Sequence, residues 1–186
     1  WTFRLGFLAE LAGQVVLIYL VMALYSILKP VNRYQAVLMV TFVVIAVTIT
    51  CLNMLNQFAA LFFLGEPGYL AVFNGEQLQA LALLFLNMHK VGYLIAQVFF
   101  GLWLLPLGIL VYKSGFFPRL LGILLVVACA GYLADVVIFT LFPAVDLVLS
   151  EFTFIGELLL LFWLLVKGVN VEQWETQALA PASQSA

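Results

Sequence analysis

The chain has 186 residues, of which 66% are hydrophobic and only 9% charged, with a formal net charge of −2. Soluble domains carry about 25% charged residues, so this composition belongs to an integral membrane protein. Seven Lys and Arg against nine Asp and Glu leave no basic patch interleaved with aromatics, which argues against a nucleic-acid partner.

A helix crossing ~30 Å of hydrocarbon needs about 20 apolar residues. Five stretches meet that need and predict an all-α transmembrane helical bundle with five visible spans. The first is Leu5 to Leu28, closed by Lys29-Pro30. The second is Tyr34 to Leu64, closed by Gly65-Glu66-Pro67-Gly68. The third, Gln77 to Tyr112, is too long for one straight crossing. Its polar early part predicts an interfacial turn or helix, followed by the true span from Leu86 with a kink at Pro106. The fourth is Arg119 to Phe142, closed by Pro143, and the fifth is Phe152 to Val166. Residues 1–169 read as one transmembrane domain. Residues 170–186, polar and small with Pro181, read as a cytoplasmic tail that is disordered or surface-bound. The apolar runs lack the ten-residue alternation of barrel strands.

Basic residues mark the cytoplasmic side. Lys29 and Arg33 lie in the first connection, Lys113 and Arg119 in the third, and Lys167 after the last span. Acidic residues occupy the other connections, with Glu66 and Glu76 in the second and Asp146 and Glu151 in the fourth. This alternation predicts Trp1 outside and the C-terminus inside, in a plasma membrane. An outside start without Met predicts a further helix upstream and six spans in all.

The polar side chains inside the spans fall at one depth. Glu10, Asn56, Gln57, Asp135 and Glu157 all lie about 8–12 Å below the outer boundary at 1.5 Å per residue. His89 and Lys90 join them if the third span begins near Leu86. Glu10 and Gln14 are four residues apart on one helix face, and Asn53, Asn56 and Gln57 share another. Each must face protein or water rather than lipid. The expectation is convergence on a common interior, with Glu10, Asp135 and Glu157 within reach of Lys90, His89 or the Asn53–Gln57 face.

One reading of that layer is a structural lock, in which Lys90, His89 and Arg4 neutralise the three carboxylates and fix helix register. The functional reading is an outward-facing pocket for a small polar molecule, an ion or a lipid headgroup. A metal centre on Glu10, His89, Asp135 and Glu157 has suitable ligand types but only one imidazole, and no Glu-x-x-His pair. No nucleophile elbow accompanies His89, so no catalytic residue and no cofactor is assigned. Cys51 and Cys129 fit no metal or redox spacing and read as core or lipid-facing residues. Gly92 with Ala96, Ala130 with Ala134, and the heptad-spaced Gly101 and Gly108 read as close-packing devices, within the bundle or between subunits. Trp1, Tyr34, Tyr69, Tyr112, Phe116, Phe117 and Trp174 read as interfacial anchors.

Several segments carry a resemblance: Phe3-Arg4-Leu5-Gly6-Phe7, Leu28-Lys29-Pro30-Val31-Asn32-Arg33, Gln77-Leu78-Gln79-Ala80-Leu81, His89 to Tyr93, and Gly156-Glu157-Leu158 ahead of Lys167-Gly168-Val169. The most specific is the turn Tyr112-Lys113-Ser114-Gly115-Phe116-Phe117-Pro118-Arg119. From Trp1 to about Val169 the chain resembles the bacterial multi-pass family catalogued as domain of unknown function 4386. The resemblance implies six spans, with a first helix and an external loop upstream, and implies no activity.

The expected function is that of a non-enzymatic membrane protein. Its partners are the lipid bilayer and either a small polar or lipid ligand in the outer leaflet half, or other membrane subunits, as an accessory subunit or homo-oligomer. The alternatives are a proton-coupled transporter, which calls for inverted repeats not visible here, and a metal-dependent membrane enzyme.

Overall fold

The computed structural model describes residues 1–65, 68–142, 144–145 and 147–179, with the backbone alone at 69 and 177–179. Glu66, Pro67, Pro143, Asp146 and Pro181, which entered the readings of turns, orientation and tail, lie outside the described residues.

The described residues form helices and no strands. Helix α1 runs Thr2–Leu28 and α2 runs Arg33–Leu64. Pro30 cannot continue the first helix. Asn32 then opens the second by accepting from the Gln35 backbone N–H at 3.0 Å. A short 3₁₀ turn, Gly68–Leu70, precedes α3, Gly75–Leu102. Asn74 and Gln77 form a reciprocal capping box at its start, each side chain accepting the other's backbone N–H. Helix α4 is Leu104–Ser114, α5 Arg119–Leu141, α6 Ser150–Thr153, α7 Ile155–Val166 and α8 Val171–Leu179.

The third stretch differs from its expectation. No boundary appears near Leu86, because the capping box starts the helix at Gly75 and carries it without interruption to Leu102. The break falls at Trp103, three residues before Pro106. A proline ring clashes with the carbonyl four residues back, here Leu102, so the disruption belongs on its N-terminal side.

Among the described residues, four helical segments are long and apolar enough to cross a membrane: Thr2–Leu28, Arg33–Leu64, Gly75–Ser114 and Arg119–Leu141. The fifth apolar stretch is divided by a turn at Phe154 into α6 and α7. The outer surface is that of a bundle in lipid. Leu52, Leu55, Leu120, Phe139, Phe162 and Leu165 are all exposed, which water would penalise and hydrocarbon does not.

The core lies along α4. Leu104, Leu107, Leu110 and Val111 are fully buried among Val21, Leu28, Met39, Val43 and Leu125. Phe116 and Phe117 belong to this core and not to an interfacial belt; each is 4% exposed, with ring centroids 5.3 Å apart. Gly115 turns the chain with φ 73° and folds the pair back into the bundle. Trp1, Tyr34 and Tyr112 are exposed, and the Arg119 guanidinium stands 5.7 Å from the Tyr112 ring centroid.

The start of the expected tail is ordered as α8. Trp174 donates its indole N–H to the Ile27 carbonyl at 2.9 Å, satisfying an orphan acceptor at the end of α1. Trp174→Phe is expected to cost about 1 kcal/mol and lower Tm by about 2–4 °C. An unchanged melting curve in detergent would show that α8 contributes nothing to the bundle.

Candidate functional site: a polar chain and an apolar cleft

The polar side chains divide into three groups on different helices. The largest ties α1, α2 and α3 together. Gln57 donates to Glu10 Oε2 at 3.0 Å, and its amide nitrogen lies 2.9 Å from His89 Nε2. Asn53 donates to the His89 carbonyl at 2.8 Å and lies 3.0 Å from His89 Nδ1. Asn56 donates to Asn53 Oδ1 at 3.0 Å. A neutral imidazole has one donor and one acceptor nitrogen. The Asn53 carbonyl, 3.3 Å from Nδ1, takes a proton there, so we assign Nε2 as the acceptor from Gln57. Asn53 can approach this closely because residue 92 is glycine. A Cβ at that position would collide with the Asn53 carboxamide.

Interhelical polar contacts in membranes average about 0.6 kcal/mol. His89→Ala removes the two ring hydrogen bonds of this tautomer, Nε2 from Gln57 and Nδ1 to the Asn53 carbonyl, and is expected to cost about 1 kcal/mol on that scale. The measurement is thermal unfolding in detergent, where a shift of under 1 °C would rule out the chain as a lock between helices.

Asp135 stands apart from that chain. It is 7% exposed, and its two carboxylate oxygens accept the backbone N–H groups of Leu149 at 2.6 Å and Ser150 at 2.9 Å. It caps the approach to α6 and does not converge on His89. Lys90 and Arg4, expected as counter-charges, are exposed. Lys90 follows His89 by one residue, and about 100° of helical rotation carries it off the face that meets α2.

Glu157 forms the third group. It is half-buried near the start of α7, facing the Tyr132 hydroxyl of α5. Its Oε1 is buried and, among the described residues, has no hydrogen-bond partner. Tyr93, one helical turn after His89, lies within electrostatic range of both Glu10 and Glu157. Tyr93 and Tyr132 were missed in the sequence, although the spacings His89/Tyr93 and Tyr132/Asp135, at i+4 and i+3, place them on polar faces. Gln14 is half-buried, and its Oε1 is also buried without a partner among the described residues.

Glu157 and Tyr132 open onto a cleft of about 280 Å³ between α1, α4, α5 and α7. Leu17, Leu20 and Leu24 form one wall, Leu158, Leu161 and Leu164 the facing one, and Trp103, Leu107 and Leu125 the floor. From Glu157 to Leu164 the cleft extends about 10 Å along α7. Such a cavity, apolar with few polar groups, is the general form of a small-molecule site. Among the described residues no three His, Cys, Asp or Glu side chains group as metal ligands would.

Residues 1–168 match the family model described as a domain of unknown function, DUF4386, and the chain belongs to that family. An uncharacterized protein of Archaeoglobus fulgidus is 30% identical over 153 residues, covering 81% of this chain and 76% of the relative. No solved structure matches the chain.

Proposed function

We propose that this member of the family is a non-enzymatic multi-pass protein of the plasma membrane that holds a small amphiphile in the α1–α4–α5–α7 cleft. The observation that carries this reading is the pairing of apolar walls with one orphaned acceptor. A buried polar atom without a partner costs roughly 1–3 kcal/mol, and a bound ligand with a donor removes that cost.

In this reading five segments cross the bilayer, α6 and α7 together forming the last, with Trp1 outside. The positions of Lys29, Arg33, Lys113, Arg119 and Lys167 support that orientation. The Trp174–Ile27 contact supports it too, since it joins the basic C-terminal end to the basic end of α1. Glu157 then lies in the outer leaflet half, where a ligand can enter between α1 and α7 from the lipid phase.

The test is native mass spectrometry of the gently solubilised protein, wild type beside Leu161→Trp. Leu161 lines the cleft and is 44% exposed, so an indole there fills the space without repacking the core. The expected result is one retained small molecule on the wild type and none on the variant. Equal retention by both, or retention by neither, contradicts the proposal.

A further inference from the structure

We infer that the cleft selects amphiphiles whose head is a protonated amine, a deepening that rests on the cleft being a ligand site. A carboxylate in a membrane span is retained only where something answers its charge or its hydrogen-bonding capacity. The Tyr132 hydroxyl faces the Glu157 carboxyl group, and among the described residues Oε1 has no hydrogen-bond partner. The cleft lining supplies no cation: apart from Glu157 and Tyr132 it is built of leucine, phenylalanine and tryptophan. Arg4 and Lys90, expected to compensate the acidic layer, are exposed.

The missing partner is thus a donor that enters with the ligand. An ammonium fits best among donors, because a charge-assisted hydrogen bond is roughly twice as strong as a neutral one and neutralises the carboxylate in place. Trp103 on the cleft floor adds an aromatic ring, whose face attracts cations. A fatty acid or a phosphate head would set like charge against Glu157 in an apolar site. Size is bounded as well. At the roughly 30 Å³ per water of the liquid, the cleft holds about ten non-hydrogen atoms, enough for an alkyl chain of medium length or a small ring system.

The experiment compares decylamine, decanol and decanoate on the intact chain in nanodiscs of neutral lipid. Binding is read by quenching of tryptophan fluorescence by the brominated form of each probe and checked by thermal shift. Decylamine should bind saturably and at least tenfold more tightly than decanol, and decanoate should not bind. Glu157→Gln should reduce decylamine affinity at least tenfold and leave decanol unchanged, while Leu161→Trp should abolish both. Equal affinity for decylamine and decanol, with both lost in Leu161→Trp, overturns the amine preference and leaves the cleft standing as a site. Indifference of every probe to Leu161→Trp overturns the cleft itself. Should Glu157→Gln fail to fold, Tyr132→Phe serves in its place. It keeps the carboxylate and removes the competing hydroxyl, so decylamine must still bind and still outrank decanol; loss of that ranking also overturns the inference.

Discussion

Gly122→Leu is expected to be the most damaging single change in the bundle. A Cβ at Gly122 would sit 2.6 Å from the Gly108 carbonyl oxygen and 2.7 Å from the Tyr112 backbone nitrogen. Neither is the mobile end of a side chain, so only separation of α4 from α5 makes room. Helix α4 carries the fully buried Leu107, Leu110 and Val111, and moving it opens the core on every side. Overpacking against backbone belongs at the top of the usual range, about 3 kcal/mol, a fall in Tm of about 6–12 °C, or a failure to accumulate folded protein. Gly13→Ala is the matched control, since a Cβ there meets nothing within 4 Å. It should stabilise by about 0.5–1 kcal/mol through helix propensity. If both variants melt alike in detergent, the close approach of α4 and α5 is not what holds them.

Asp135→Ala is the second. Its carboxylate receives two backbone N–H groups, and hydrogen bonds to a charged group are worth about 1.5–3 kcal/mol each. Removal strands both donors at the start of α6, so the expected cost is about 3 kcal/mol or more. Asp135→Asn retains one acceptor oxygen and should lose about half as much. The variants should nevertheless bind a cleft ligand normally below their melting temperature, because Asp135 caps a turn and does not line the cleft. Loss of binding in a folded Asp135→Asn would place this carboxylate in the ligand site after all.

That prediction marks the boundary of what the sequence discloses. Apolar length alone located α1, α2 and α5, but not the start of α3, the division of the fifth stretch at Phe154 or the ordering of α8, and the carboxylates inside the apolar stretches were legible as a polar set. The helical spacing of Asn53, Asn56 and Gln57 also foretold a shared face, and that face meets His89. Depth says nothing about azimuth, however. Asp135 and Glu157 read as lying at one depth, yet one turns toward a loop and the other toward a cleft, and only helix rotation decides this. Lys90 failed as a counter-charge for the same reason, one residue out of phase with His89. Tyr132 was passed over because aromatic residues are common in spans, and nothing local distinguishes a tyrosine that packs from one that meets a carboxylate. Phe116 and Phe117 have the composition of an interfacial pair. Their burial depends on the left-handed turn at Gly115 and on a core that exists only once α4 and α5 have packed. The cleft itself has no sequence signature, because its walls are leucines indistinguishable from those facing lipid.

The deciding measurement is electron cryomicroscopy of the protein in lipid nanodiscs, at a resolution that separates a bound amphiphile from solvent. Elongated density is expected between α1 and α7, with one end at Glu157 Oε1 and the other near Leu164. A cleft closed by direct contact of α1 with α7, or occupied by a protein helix, would contradict it.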